Sequence, residues 1–148
     1  MHPVTVLDVK LLNNPAKFLD PYTFEIVFEA DQNLTSEDML EFKFIYVGSA
    51  KSTEHDQELE VIEISPIPAG VNRFSVETDA PDGSQIPLDD LLGNTVILVM
   101  CYLNKQEITR VGFFVNVHYE DPDMELDEPD FSLLLRNVNT SEPRITVQ

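Results

Sequence analysis

The stretch "ITRVGFFVNVHYEDPD", Ile108 to Asp123, decides the fold. Val111, Phe113, Val115 and Val117 alternate with Arg110, Gly112, Phe114 and Asn116, and a period of two marks a β-strand with one buried face. The other face is not simply polar, because Phe114 stands on it beside Arg110. The segment then runs into acid. Two readings are open for that second face. Either Arg110 pairs with an internal acid and Phe114 fills a second core, or both wait for a partner.

Similar segments recur on both sides. "VTVLDVKLL" is β-rich and stops at Asn13, Asn14 and Pro15, which favour a turn. In "YTFEIVFEA", Phe24, Ile26 and Phe28 oppose Thr23, Glu25, Val27 and Glu29, as in a strand with one well-buried face. "FKFIYVGSA", "LEVIEIS" and "VNRFSVETDA" follow, broken at Gly48, "PIPAG" and "PDG". "NTVILVMCYL" is a continuous apolar run and predicts a central strand covered on both sides. "NKQ" turns it back into "EITRVGFFVNV". "TSEDML" opens like a capping box but has room for only a turn or so of helix. Residues 119–130, with Pro122, Pro129 and seven acids, predict an irregular crossing segment. "DFSLLLRN" predicts a helical turn, and "RITV" a last short strand. About eight strands between Pro- and Gly-bearing loops, with no long amphipathic helix, predict an all-β antiparallel sandwich. Residues 1–148 are expected to form a single domain, with no internal repeat.

Charge is the outlier. Nine Lys and Arg face 27 Asp and Glu, a net charge of −18. Such a surface repels nucleic acid and anionic membranes and attracts basic partners. The start "MHPVTVLDVKLL" lacks the features of a secretory signal, and no apolar run approaches a bilayer-spanning length. A single cysteine, Cys101, allows no internal disulfide. A reducing compartment, cytosol or nucleus, is therefore expected. The triplets "NLT" at Asn33 and "NTS" at Asn139 are then chance matches to a glycosylation signal.

Signatures of chemistry are scarce. His2, His55 and His118 are far apart and adjoin no nucleophile pattern, and there is no phosphate loop, "HExxH" or nucleophile elbow. His55–Asp56 reads as a polar surface loop rather than half of a catalytic pair. Cys101 lies in an apolar run and reads as an inert core thiol. "DPDMELD" places acids at alternate positions, but the sixth and twelfth places of a calcium loop fall on Leu126 and Ser132, not glycine and glutamate. No enzyme, cofactor or metal is expected. An interaction module remains, one form of which is an immunoglobulin-like adaptor that binds basic peptides by β-augmentation.

In order and spacing, "NNPAKF", "FEIVFEA", "IYVGSA", "HDQELE", "PIPAGVNRF", "DAPDGSQIP", "GNTVILV", "QEITRVGFFVN", "PDFSLLLRN" and "PRITV" resemble the anti-silencing-function histone chaperones over almost the whole chain. The resemblance implies an elongated immunoglobulin-like β-sandwich, with no enzymatic activity. It also implies a nuclear, monomeric protein that binds the histone H3–H4 dimer. It would block pairing of two dimers and exchange histones with chromatin-assembly complexes.

Carried over residue by residue, the resemblance puts Val96 at the heart of the histone H3-binding face. Asp56, Asp90, Arg110 and Phe114 take its other contact positions, with Val47, Ala50 and Leu98 as further apolar members. Pro143, Arg144, Ile145 and Thr146 correspond to the part that pairs with the C-terminal strand of histone H4. A separate groove would receive a basic hairpin from partner chaperones, with Glu37, Asp38 and Glu60 as its acids and Phe28 and Phe74 as apolar neighbours. This chain departs from the pattern with Lys51 and Thr53 where acids are common, Phe114 for a frequent tyrosine, and a longer loop around Glu37 and Asp38.

Overall fold

In the computed structural model, residues 3–147 are described except 50, 52 and 122, with the backbone alone described at 141–144, 146 and 147. Among the described residues, nine strands form two antiparallel sheets. The smaller has the order β1 (Val4–Leu11), β3 (Tyr22–Ala30), β6 (Gly70–Thr78). The larger has the order β2 (Ala16–Lys17), β9 (Leu134–Val147), β8 (Gln106–Tyr119), β7 (Gly93–Leu103), β4 (Leu40–Tyr46), β5 (Gln57–Ile64). The protein is thus the expected all-β, immunoglobulin-like sandwich. A one-turn helix, α1 (Leu88–Leu91), leads into β7.

The core lies between the sheets and is built by strand alternation. Phe24, Ile26 and Phe28 of β3 are buried as expected, and Phe24 packs against Phe44 of β4 and Phe113 of β8 with ring centroids 5.3 and 6.3 Å apart. At one end Phe28, Phe42 and Phe74 close a triangle of ring contacts between 5.3 and 6.2 Å. Offset and edge-on aromatic pairs of this kind add to the burial of their area.

Three expectations change. The "NTVILVMCYL" strand is central, flanked by β4 and β8, but it is not covered on both sides. Ile97, Val99 and Cys101 are buried, while Val96, Leu98 and Met100 on the other face are only half-buried. "RITV" is not a separate strand: it is the end of β9, which runs through a register irregularity between Asn139 and Arg144. "TSEDML" forms a turn rather than helix, with the Glu37 amide donating to Thr35 Oγ1 and the Asp38 amide to the Thr35 carbonyl. The predicted turn in "DFSLLLRN" is present as a 3-10 turn at Phe131–Leu133, capped by Asp130. Asn104 and Lys105 both adopt positive φ in the β7–β8 hairpin, as a two-residue turn requires.

The "NNPAKF" segment is stitched to β9 by side chains that imitate backbone. Asn14 donates to the Val138 carbonyl and accepts from its amide, each at 2.8 Å. Below it Arg136 is 1% exposed, its guanidinium 3.7 Å from the Tyr22 ring centroid. It donates to the carbonyls of Phe18, Asp20 and Pro21. Burial lowers its pKa, and the neighbouring Tyr22, Asp20 and Tyr46 act against that shift.

Removing this guanidinium takes a donor from the Phe18 and Asp20 carbonyls, at a cost of about 1–3 kcal/mol for each one left buried and unsatisfied, while the Pro21 carbonyl keeps Asn13 as its donor. Arg136→Met is expected to lower stability by about 2–5 kcal/mol in urea denaturation. Arg136→Lys recovers part of the loss, because an ammonium reaches fewer carbonyls than a fork does. A Met variant as stable as the parent would show that the loop needs no such clamp.

Burial pushes the Cys101 thiol up to about 12. Above the ordinary thiol pKa the unfolded chain gives up this proton while the folded chain keeps it, so stability should fall as pH rises from about 9 towards 12. Cys101→Ala removes that contribution to the alkaline slope. In the native protein at neutral pH, a thiol reagent should label Cys101 no faster than the chain opens; immediate labelling would contradict this.

Candidate functional site

The outer face of the large sheet is set by register. Val96 lies directly opposite Phe114, and Phe114 opposite Asn139. The adjacent row carries Ile45, Leu98 and Gly112, and the next carries Lys43, Met100 and Arg110. Residues opposite one another point to the same side. Val96, Leu98, Arg110 and Phe114 therefore share one surface, with Phe114 42% exposed. Beside Phe114 a cavity of about 770 Å³ is lined by Asn94, Asn116, His118, Asn137 and Asn139, and Asn116 donates to Asn94 at 2.9 Å.

Val47 is fixed to this surface through its backbone. Its amide donates to the Val96 carbonyl at 3.0 Å, and its carbonyl accepts from Thr95 Oγ1. The chain then passes so close to His55 that a Cβ on Gly48 would run into the His55 backbone, which explains a glycine there. Asp56 follows the 3-10 turn Thr53–His55, its amide bonded to the Thr53 carbonyl. Next to it Gln57 stands opposite Tyr46, itself opposite Ile97. Asp56 is thus about two strand spacings, roughly 10 Å, from the row of Val96. It is exposed, and the desolvation its neighbours do impose raises its carboxyl pKa. Gln57 also exchanges hydrogen bonds with the backbone of Asp82, at 2.7 and 2.8 Å. This ties the Asp56 turn to the loop that leads to α1 and half-buried Asp90. Gly93, at φ +101°, lets the chain leave α1 and enter β7. Ala50 lies outside the described residues.

Arg110 does pair with an internal acid. Its Nε donates to Glu107 Oε1 at 2.8 Å, the arginine side chain remaining 44% exposed. In a regular strand residues three apart face opposite ways. Here β8 pairs Thr109 with Cys101 but Glu107 with Tyr102, so Ile108 is an extra residue that turns Glu107 to the side of Arg110. The two readings of this face are therefore not exclusive. Lys43 sits 5.1 Å from the Tyr102 ring centroid, and Tyr102 donates to the Met100 sulfur. Sequence reasoning missed Lys43, Met100 and Tyr102, although strand alternation puts Met100 on the same side of β7 as Val96 and Leu98.

The two other groups separate. Ile145 is 62% exposed, on the strand half where Arg144, Ile145 and Thr146 pair with Gly112, Val111 and Arg110. Pro143 falls in the register irregularity. Among the described residues, β2 pairs with β9 only at Leu135 and Arg136, which leaves the outer edge of this half open.

Glu37 and Asp38 adjoin the start of β4, where Asp38 accepts from Asn104 at 3.1 Å and its carbonyl accepts from Ser65 at 2.6 Å. Glu60 lies opposite Phe44, four rows along from the Leu40–Ile64 pair, about 13 Å away. Between them Ile62 and Ile64 point inward from the edge strand β5, and half-buried Phe74 does so from the edge strand β6. Phe28 is 2% exposed and backs Phe74 rather than lining the surface. Ile62 and Ile64 were not singled out from sequence, because an edge strand reads like any other until its neighbours are known.

A family model described as ASF1 like histone chaperone matches residues 1–148. The chain is 46% identical over 149 residues to Histone chaperone ASF1 of Chaetomium globosum, covering 99% of this chain and 53% of that protein. It is 46% identical to Histone chaperone ASF1B of Mus musculus, covering 99% of this chain and 73% of that one. Against Histone chaperone ASF1 of Saccharomyces cerevisiae the identity is 42%, with 99% and 53% covered. The chain spans about half the length of these fungal relatives.

Proposed function

The chain belongs to the ASF1-like histone chaperone family, and from that membership we propose that it binds the histone H3–H4 dimer. It does so through the outer face of the large sheet, as a non-enzymatic nuclear chaperone without cofactor. In this reading it blocks pairing of two dimers and passes histones to or from chromatin-assembly complexes. The observation that carries the reading is the row of Val96 and Phe114 beside Leu98, an apolar patch on a sheet whose opposite face already fills the core. Arg110 offers a guanidinium for a partner carboxylate, which sets register as well as energy. Asp56, about two strand spacings from the row of Val96, and Asp90, in the turn of helix before β7, suit a basic cargo. Net charge steers encounter more than it adds to final affinity. Phe114 and Val96 supply area to be dried, with Val47 at its border.

The open half of β9, at Pro143, Arg144, Ile145 and Thr146, suits addition of a strand from histone H4. The groove between β5 and β6 would take the basic hairpin of a partner chaperone, with Glu37, Asp38 and Glu60 at its rim and Phe74 in its floor, backed by Phe28. Residues 1–148 would act as one domain and as a monomer.

Two variants test this. Val96→Arg is expected to be folded, with a melting temperature close to the parent's, because its side chain reaches water in the free protein. H3–H4 binding should fall at least about tenfold, since apolar burial worth roughly 1.5–3 kcal/mol is lost at a central contact and a basic cargo is repelled. A variant that unfolds would return Val96 to the core; one that binds normally would remove it from the interface. Glu37→Ala with Asp38→Ala should weaken a basic hairpin and leave H3–H4 affinity nearly unchanged by calorimetry. If both affinities fell together, the two surfaces would not be separate.

A further inference from the structure

Beyond Phe114 the surface continues as a trough to the end of the sandwich. Asn116 and His118 line both the cavity beside Phe114 and a second one of about 520 Å³ that reaches Leu92, Tyr119 and Met124. Those three also line a third, of about 340 Å³, together with Leu88 and Leu126. Two elements build this end. Leu91 anchors α1 in the core and leaves Leu88 and Leu92 67% and 45% exposed. The crossing segment after β8 brings half-buried Met124 and Leu126, the latter 46% exposed. Scattered exposed leucines need no explanation, but several gathered round one depression do.

The charged side chains that line these two cavities have one sign, although Lys17 borders a neighbouring depression that shares Glu120, Asp121 and Met124. Glu125 and Asp127 line the third cavity, and Glu120 and Asp121 the second. No Lys or Arg occurs between Arg73 and Lys105 or between Arg110 and Arg136, and those two stretches supply every lining residue of both cavities.

We propose that this trough is a docking surface for a basic segment of another protein that carries paired bulky apolar side chains. The apolar side chains would cover Leu88, Leu92, Met124 and Leu126, and lysines or arginines would meet the acidic walls. A second copy of this chain fits poorly: it would set like charges face to face on molecules that each carry −18. The inference goes beyond the histone contact and stands on different residues, since none of these four belongs to the face around Val96.

The test uses the whole chain and two fluorescein-labelled peptides of equal charge, one alternating pairs of lysine and leucine, the other with serine in place of leucine. Fluorescence anisotropy should show the leucine peptide bound about tenfold or more tightly, because the serine peptide has no apolar area to bury. Leu88→Ser with Leu126→Ser should bring the two peptides level, with the melting temperature and H3–H4 affinity unchanged. Equal binding of the two peptides by the parent would reduce the effect to charge, and unchanged binding by the double variant would place it elsewhere. Either result overturns the proposal. So does a concentration-dependent dimer of the parent that the double variant loses, which would assign the trough to a second copy. Loss of H3–H4 affinity in the double variant would make the trough part of the histone face and overturn it as a separate surface. If the parent binds the leucine peptide as expected yet binds no H3–H4, the histone reading fails and this one stands.

Discussion

Phe24 between Phe44 and Phe113 is the contact on which the two sheets close, and it fixes which face of the large sheet is spent on the core. A three-stranded sheet lies over one face of a six-stranded one. Alternation then forces every second residue of β7 and β8 to the far side, away from the three-stranded sheet. The apolar residues there, Val96, Leu98 and Phe114, are consequences of strand geometry as much as of choice. What distinguishes them from a conventional solvent face is that lysines, glutamates and threonines would have been free to replace them.

The strand that borders this face is secured from behind by an unusual device. Arg136 is a fully buried cation with three backbone carbonyls as its acceptors and a tyrosine ring against its plane. Carbonyl dipoles and a ring quadrupole solvate a charge less completely than water does, so such a group is retained where its geometry organises something. Here it holds the Phe18–Pro21 loop. Asn14 holds the segment before it against Val138. Together they close the lower half of β9, and they stop where Pro143 and Arg144 begin.

The strands and their inward residues were legible in the sequence because burial on one face imposes a period of two. The side of β7 that faces outward was legible too, once its alternation was read, although the run "NTVILVMCYL" taken whole suggests cover on both faces. The link between Glu107 and Arg110 was not legible. It depends on the extra residue at Ile108, and a bulge leaves no mark on an apolar–polar pattern. Arg136 was hidden for a related reason: an arginine following "LLL" reads as a surface residue until the loop that supplies its acceptors folds back. The residues Glu37, Asp38 and Glu60 came from family likeness alone, and the sheet order was needed to see that Ile62 and Ile64 lie between them.

Among the described residues, strand edges are left bare at β5, at β6 and along the far half of β9. Bare edges are templates for any chain that can extend beside them, including another copy of the same protein. Acids are spread through these regions, among them Glu58, Glu60 and Glu63 on β5 and Glu77 on β6. Two such edges approaching each other meet like charge before any backbone hydrogen bond can form. The excess acid therefore sorts visitors by sign: edges that stay bare in a crowd of identical molecules remain free for a strand that arrives with lysines and arginines. At high ionic strength, or when the carboxyls are protonated, that sorting weakens and the repulsion between two copies falls with it.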